Sequence, residues 1–247
     1  MTFSDDEIER YARHLVLAEV GGPGQQRLKA ARVGLMGVGG VGAPAALYLA
    51  AAGVGALRLI DDDTVAMSNL QRQILFASGD VGRDKVVAAA SALHDLNPHI
   101  EIEPRRERLT ADNAVDLLGG CDLVIDGSDD FATRFAVNDA CLTLGVPLVS
   151  GALGRWGGQV GVFRGRPCYR CLVPAAPPDA ETCARVGVVG ALTGVIGSMT
   201  ALEAVKLIAG AGEPLTGRLL LYDGLAGTAR AIRVAADPAC PACGRLG

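Results

Sequence analysis

Residues 32–63 read RVGLMGVGGVGAPAALYLAAAGVGALRLIDDD. The apolar run RVGLMG (32–37) ends in glycine and reads as a strand, APAALYLAAAG (43–53) as a helix closed by Gly53, and ALRLIDDD (56–63) as the next strand. Between the first strand and the helix, Gly37, Gly39 and Gly42 fit G-x-G-x-x-G, and Asp61 stands at the end of the second strand. Glycines in such a turn let backbone reach phosphates at a helix N-terminus, while the distal acid holds ribose hydroxyls. The spacing therefore predicts a βαβ unit that binds a nucleotide.

The same alternation continues outward. DKVVAAASALHDLNP (84–98) predicts an amphipathic helix stopped at Pro98, followed by the strand IEIE, a helix near 111–118, the strand DLVID (122–126) and a helix over 131–144. Alternation of this kind implies an α/β fold with a parallel, doubly wound, Rossmann-like sheet. After PLVSGAL (147–153) the pattern changes to GQVGVF, GRLLLYDG and TARAIRV, strands with few helices between them, which extend the sheet in antiparallel fashion. Upstream, Ser4 followed by Glu7 gives a capping-box signature for one helix over 4–15 that carries Arg13 and His14 at its end. No linker composition or repeat divides the chain, so 1–247 reads as a single domain with its nucleotide-binding part over about 32–150.

Gly is 33 of 247 residues while Phe, Trp and Tyr together make 4%, so backbones approach closely and turns are sharp. A net charge of −4 gives no electrostatic footprint for a phosphate polymer, which argues against nucleic acid as a partner. The start, MTFSDDEIER, is acidic where a secretory signal is basic and then apolar, so the expected location is the reducing cytoplasm. The uncharged run VGVVGALTGVIGSMTAL (186–202) falls short of a usual span and runs directly into Glu203 and Lys206. We expect no membrane span there, but a helix buried in the core or at a subunit interface.

The glycine motif does not choose between nucleotides, and an NAD-dependent oxidoreductase is the obvious default. A helix N-terminus nearly suffices for a pyrophosphate, whereas ATP carries more negative charge and needs Arg, Lys and a divalent metal to be held and cleaved. SNLQRQ supplies Asn69, Arg72 and Gln73 just past the ribose acid, GRDKV supplies Lys85 at a helix start, and DGSDD places Asp129 at the carboxyl end of a strand, where it is suited to Mg²⁺. Any one of these alone reads as a solvated charge. Their joint presence favours ATP-Mg²⁺.

GVGGVG, DDDTVAMSNLQRQ, VGRDKV, GSDDFATR, GGQVGVF and PCYRCL occur in the order and spacing of the MoeB/ThiF family, the bacterial relatives of ubiquitin-activating enzymes, and the likeness spans essentially the whole chain. The resemblance implies an enzyme that uses ATP-Mg²⁺ to adenylate the C-terminal glycine of a small ubiquitin-fold sulfur-carrier protein ending in Gly-Gly, for thiocarboxylate formation from a persulfide sulfur donor. Molybdopterin, thiamine and related pathways share these motifs; the chain looks closest to the molybdopterin-synthase type without a rhodanese domain. By that resemblance Gly37, Gly39, Gly40 and Gly42 approach phosphate, Asp61 takes the ribose, Asn69, Arg72 and Lys85 bind the triphosphate, and Asp129 binds the metal. Arg13 would reach the phosphates of the neighbouring subunit in a homodimer, and the part over about 151–247 would bind the carrier and zinc. The family usually has Thr-Asp-Asn where this chain has Ser128-Asp129-Asp130, which leaves either carboxylate open as the Mg²⁺ ligand. Within the family, activation of another acceptor such as a modified tRNA base is the alternative, disfavoured by the acidic balance.

PCYRCLVP (167–174) and DPACPACGRLG (237–247) each contain C-x-x-C. Cys168, Cys171, Cys240 and Cys243 suit a tetrahedral Zn²⁺ site, with a thioredoxin-like redox pair as the alternative. The 68 residues between Cys171 and Cys240 exceed a local zinc ribbon, so the ion would tie the end of the chain to a mid-chain loop as a structural clasp. Cys121 and Cys141 lie in apolar contexts and read as packing residues. Cys183, in DAETCARVG, stands apart: by the resemblance it is a candidate sulfur-transfer thiol, while Asp179 and Glu181 nearby argue against an activated one.

Overall fold

A computed structural model describes residues 2–177 and 187–244. These form one eight-stranded sheet in the order β3-β2-β1-β4-β5-β6-β7-β8. Its strands are β1 (Arg32–Met36), β2 (Ala56–Ile60), β3 (Glu101–Arg105), β4 (Leu123–Asp126), β5 (Leu148–Gly154), β6 (Gly157–Phe163), β7 (Arg218–Asp223) and β8 (Thr228–Arg233). Pairing is parallel from β3 through β5 and antiparallel from β5 to β8, as the change of pattern after residue 153 predicts.

Alternating residues along each central strand feed two cores. Val33, Leu35, Leu57, Leu59, Leu123, Ile125 and Val149 share one core, while Met36, Ile60, Val124 and Leu148 share the other. The first lies beneath α3 (Gly21–Ala30), α4 (Gly42–Ala51), α5 (Lys85–Leu96) and the long α9 (Gly190–Ala209), which comes after the short α8 (Tyr169–Leu172) among the described helices; the second lies beneath α6 (Ala114–Leu118) and α7 (Phe131–Leu144). With both faces covered, the central strands read as continuous apolar runs. α9 is the one described helix long and apolar enough to cross a membrane. Here it packs on α4, β5 and β6: Gly197 approaches Pro44 and Gly158 approaches Ile196 so closely that a Cβ at either would collide.

Two segments depart from the expectations. The helix expected over 4–15 is two short ones, α1 (Asp5–Arg10) and α2 (Ala12–Leu15), with Tyr11 between them outside helical geometry. Tyr11 is buried and its hydroxyl accepts from Asn97 Nδ2 at 2.9 Å, so docking the ring outweighs continuing the helix. The Ser4/Glu7 capping box is present. The helix α3 has no counterpart in the sequence reading, because GGPG looks like a loop; Pro23 sits in its first turn, where a missing N–H costs nothing. The helix expected near 111–118 covers only Ala114–Leu118.

Candidate active site

The strand order reverses between β1 and β4, which leave the sheet side by side with Met36 paired to Asp126. Ligands in open α/β sheets bind in the crevice beyond the carboxyl ends of strands at such a point. A cleft of about 430 Å³ lies there, and Gly37, Gly39, Gly40, Asp61, Asn69, Arg72, Gln73, Lys85, Asp129 and Asp130 all line it. Residues up to 93 positions apart in the chain thus meet around one cavity.

The glycine turn is built for close approach. Gly37 has φ +82°, and a Cβ on Gly42 would lie 1.8 Å from the Gly37 carbonyl oxygen, so any side chain at either position would open the turn. Gly42 itself does not line the cleft but begins α4; the Ala43 amide already donates to the Gly39 carbonyl at 2.9 Å and Pro44 has no N–H, so the Gly42 amide is the donor that α4 leaves at its start. Asp61 is buried beside this turn, its Oδ2 accepting from Val38 N at 2.8 Å and its Oδ1 from Asp63 N at 2.9 Å. Burial pushes its carboxyl above the ordinary range, opposed by Lys85 and by the two amides.

Cations face this acid. The Lys85 ammonium, at the first position of α5, lies 2.7 Å from Asp63 Oδ2 and 3.9 Å from Asp61 Oδ2. Arg72 and Gln73 follow a short 3₁₀ turn, Met67–Asn69; Arg72 Nη1 donates to Ser68 O, and Thr193 Oγ1 from α9 donates to the Arg72 carbonyl at 2.9 Å. The Asn69 carboxamide oxygen accepts from Ala66 N, leaving its NH₂ group as the donor end. Gln73 lines the cleft but is buried, and its Oε1 has no hydrogen-bond partner among the described residues.

The two carboxylates after Ser128 separate by role. Asp130 caps α7, its Oδ1 accepting from Thr133 N at 2.8 Å, whereas Asp129 is exposed on the cleft wall. Sequence reasoning missed Leu109, which walls the cleft, and Arg134, a buried cation on α7; a lone Arg on a helix gives no such signal. Arg13 is exposed and does not line the cleft of its own chain. Cys183 lies outside the described residues.

A groove of about 750 Å³ adjoins the cleft, sharing Ala152 and Leu153 with it and lined further on by Trp156, Gln159, Leu221 and Leu225. Trp156 and Leu225 are exposed there. The groove needs β5, β6 and β7 side by side and leaves no trace in any one segment.

The two C-x-x-C pairs come together. Cys168 Sγ lies 3.6 Å from Cys240 Sγ and Cys171 Sγ 3.3 Å from Cys243 Sγ, with all four sulfurs within 4.8 Å of one another. Thiolates around one tetrahedral ion with metal–sulfur bonds of about 2.3 Å sit about 3.8 Å apart, so the donor set and its spacing fit a closed four-sulfur site. Asp237 N donates to Cys171 Sγ. Burial pushes the Cys240 thiol up, but the Cys243 and Ala242 amides and neighbouring thiols outweigh it and bring it down to about 7. Cys121 and Cys141 are buried, and burial pushes both thiols up, as befits packing residues.

The ThiF family model matches residues 11–242. A sulfur carrier protein adenylyltransferase of Thermus thermophilus is 46% identical over 99% of this chain and 93% of its own length. A SAMP-activating enzyme E1 of Haloferax volcanii is 45% identical over 100% of this chain and 93% of its own. Among solved structures, Escherichia coli MccB with MccA-N7isoASN superposes with a TM-score of 0.86 at 22% identity, over 99% of this chain and 76% of that one, a likeness of fold.

Proposed function

This chain belongs to the ThiF family, and we propose that it adenylates the C-terminal carboxylate of a small sulfur-carrier protein with ATP. The observation that carries this reading is the convergence of Asn69, Arg72, Gln73 and Lys85 on a glycine turn flanked by Asp61 and Asp129 in one cleft. Relatives named for the same activity, aligned over essentially the whole chain, support it. A nicotinamide dehydrogenase would need fewer cations opposite the glycine turn.

In the reaction a carboxylate oxygen attacks the α-phosphorus, the bond from that phosphorus to the bridging oxygen breaks, and pyrophosphate leaves. The nucleophile is already ionised, so no general base is needed, and the barrier is mainly charge repulsion. Arg72 and Lys85 meet it with fixed positive charge in a partly dry cleft, while the amides of Gly39, Gly40 and Gly42, at the entry to α4, hold phosphate oxygens; those of Gly37 and Val38 are already committed to Ile60 O and Asp61 Oδ2. Asp61 holds the ribose, and Gln73 shares the cleft wall with it. Mg²⁺, when bound with ATP, would neutralise phosphate charge. Asp129 is the carboxylate left for it, because Asp130 is committed to the helix cap.

The apolar groove around Trp156 and Leu225 would take the carrier, whose Gly-Gly tail would pass Ala152 and Leu153 to reach the α-phosphate. Arg13, away from its own cleft, would complete the site of a partner copy in a homodimer. The four cysteines would hold Zn²⁺ as a clasp, with no ligand position left for catalysis. A persulfide would supply sulfur to the adenylated carrier, and Cys183 is a candidate thiol for that step.

Carrier-dependent exchange of labelled pyrophosphate into ATP tests the reading. Exchange that requires a carrier ending in Gly-Gly is expected; exchange absent with every sulfur carrier offered, or nicotinamide-dependent redox activity instead, would overturn it.

A further inference from the structure

The Asp129 loop is held by a buried cation that itself lines the cleft. Gly127–Asp130 crosses from the end of β4 to α7, and Arg134, one turn into α7, folds back against it with only 6% of its surface exposed. Its Nη2 donates to Ser128 O and, at 3.2 Å, to Gly151 O on β5, while its Nη1 donates to Ser150 Oγ at 3.2 Å. Nη1 also stands 3.7 Å from Asp126 Oδ2 on β4. The guanidinium therefore joins two neighbouring strands and the loop between β4 and α7.

The pairing is poorly suited to stability alone. Asp126 is 1% exposed, its Oδ1 accepts from Ser128 N and Ser128 Oγ, and its Oδ2 has no hydrogen bond. A buried ion pair this incompletely satisfied adds little to stability compared with apolar residues of the same volume, so its retention points to a demand for geometry. Ser128 O belongs to the peptide group that joins Ser128 to Asp129. A donor fixed on that oxygen, with the Ser128 amide fixed on Asp126, prevents the peptide plane from turning and so sets the direction in which Asp129 leaves the loop.

We infer that Arg134 is a positioning residue: it orients the Ser128–Asp129 peptide so that Asp129 presents its carboxylate to the metal at the phosphate end of the cleft. The inference rests on the proposed ATP-Mg²⁺ chemistry of this cleft. Lysine at 134 keeps the charge, but one ammonium cannot reproduce the fork that spans Ser128 O, Gly151 O and Ser150 Oγ. Ser150→Ala removes only one of those contacts.

The test is calorimetric titration of ATP into the full-length wild type, Arg134→Lys and Ser150→Ala over a series of Mg²⁺ concentrations, without carrier. In Arg134→Lys the half-saturating Mg²⁺ concentration should rise about tenfold, equivalent to about 1.4 kcal/mol. Metal-free ATP affinity should change less than about threefold, and Ser150→Ala should shift the Mg²⁺ requirement by a smaller factor in the same direction. Carrier-dependent exchange by Arg134→Lys should recover as Mg²⁺ is raised to saturation. Unchanged Mg²⁺ half-saturation, with affinity lowered by a common factor at every concentration, would make Arg134 merely structural and overturn the inference. Wild-type ATP affinity that ignores Mg²⁺ would overturn it as well. If Arg134→Lys does not fold, Ser150→Ala decides by the same criterion. A wild type that binds ATP-Mg²⁺ but never exchanges pyrophosphate would remove the adenylation reading, while the titrations would still judge Arg134.

Discussion

Lys85 Nζ lies 2.7 Å from Asp63 Oδ2, with the lysine side chain 6% exposed and the aspartate side chain 68% exposed. The buried ammonium is thus paired with a carboxylate that is free to turn into water when phosphate takes its place. The more buried Asp61 Oδ2 stays 3.9 Å away, anchored by the Val38 amide. Lys85→Ala should lower pyrophosphate exchange by about two to three orders of magnitude, the range expected when a transition-state cation is removed from a partly dry site. ATP affinity should fall less. A rate within about threefold of the wild type would exclude Lys85 from the mechanism.

The nucleotide half of this site is legible in the sequence because its signals are local. An apolar run, a glycine turn and an acid at the next strand end determine β1, α4 and β2, and the bounds expected for α7 coincide with Phe131–Leu144. Arg134 is illegible for the opposite reason. Its character comes from Asp126 and Ser150, brought to it by two neighbouring strands, and a single Arg at a helical position looks like a solvated charge. The groove of Trp156 and Leu225 likewise depends on strand pairing rather than on periodicity. Tyr11 breaks the first helix because of Asn97, 86 residues away. The two C-x-x-C pairs are legible as one candidate metal site, but not that their turn docks on α7, where Asn138 Oδ1 accepts from Tyr169 N and Asp139 pairs with Arg170.

That docking gives the clasp a measurable role. Purified protein should hold about one Zn²⁺ per chain with all-sulfur ligation, and Cys240→Ser should lose the metal and several degrees of thermal stability. The loosened turn should act through α7, so stability falls before chemistry is directly affected. Metal analysis and X-ray absorption check this. Zinc far below one per chain with unchanged melting would remove the clasp.

Glu7, in the first turn of α1, is buried, pairs with Lys29 at 2.7 Å, and its side chain accepts from Ser4 N at 2.9 Å. Burial alone would raise its carboxyl, but the Lys29 ammonium and the Ser4 contacts outweigh it and hold the group below the ordinary range. A depressed folded-state pKa contributes stability that is present above the unfolded value and lost as pH falls through the folded one. Glu7→Gln should therefore melt lower than the wild type at pH 7, and the difference should shrink from about pH 5 downward. Melting curves of the two proteins from pH 3 to 8 check the sign. A difference that widens in acid would contradict the pairing.

Arg13 tests whether the site is shared between subunits. It sits on α2, exposed and outside the cleft that its own chain builds, whereas Lys85 is buried within that cleft. If the cleft draws its Arg13 from a partner, Arg13→Ala chains and Lys85→Ala chains are each inactive, but a mixed dimer contains one site with the wild-type residue at both positions. Random reassortment then yields mixed dimers as about half of the population, each with one of its two sites restored. Mixing equal amounts after subunit exchange should therefore recover roughly a quarter of wild-type pyrophosphate exchange. Recovery that requires both variants and rises with the time allowed for exchange would place Arg13 in the neighbouring site. Mixtures that stay at the level of the separate variants, although mixed dimers are demonstrated by differential tagging, would confine Arg13 to its own chain or remove it from the reaction.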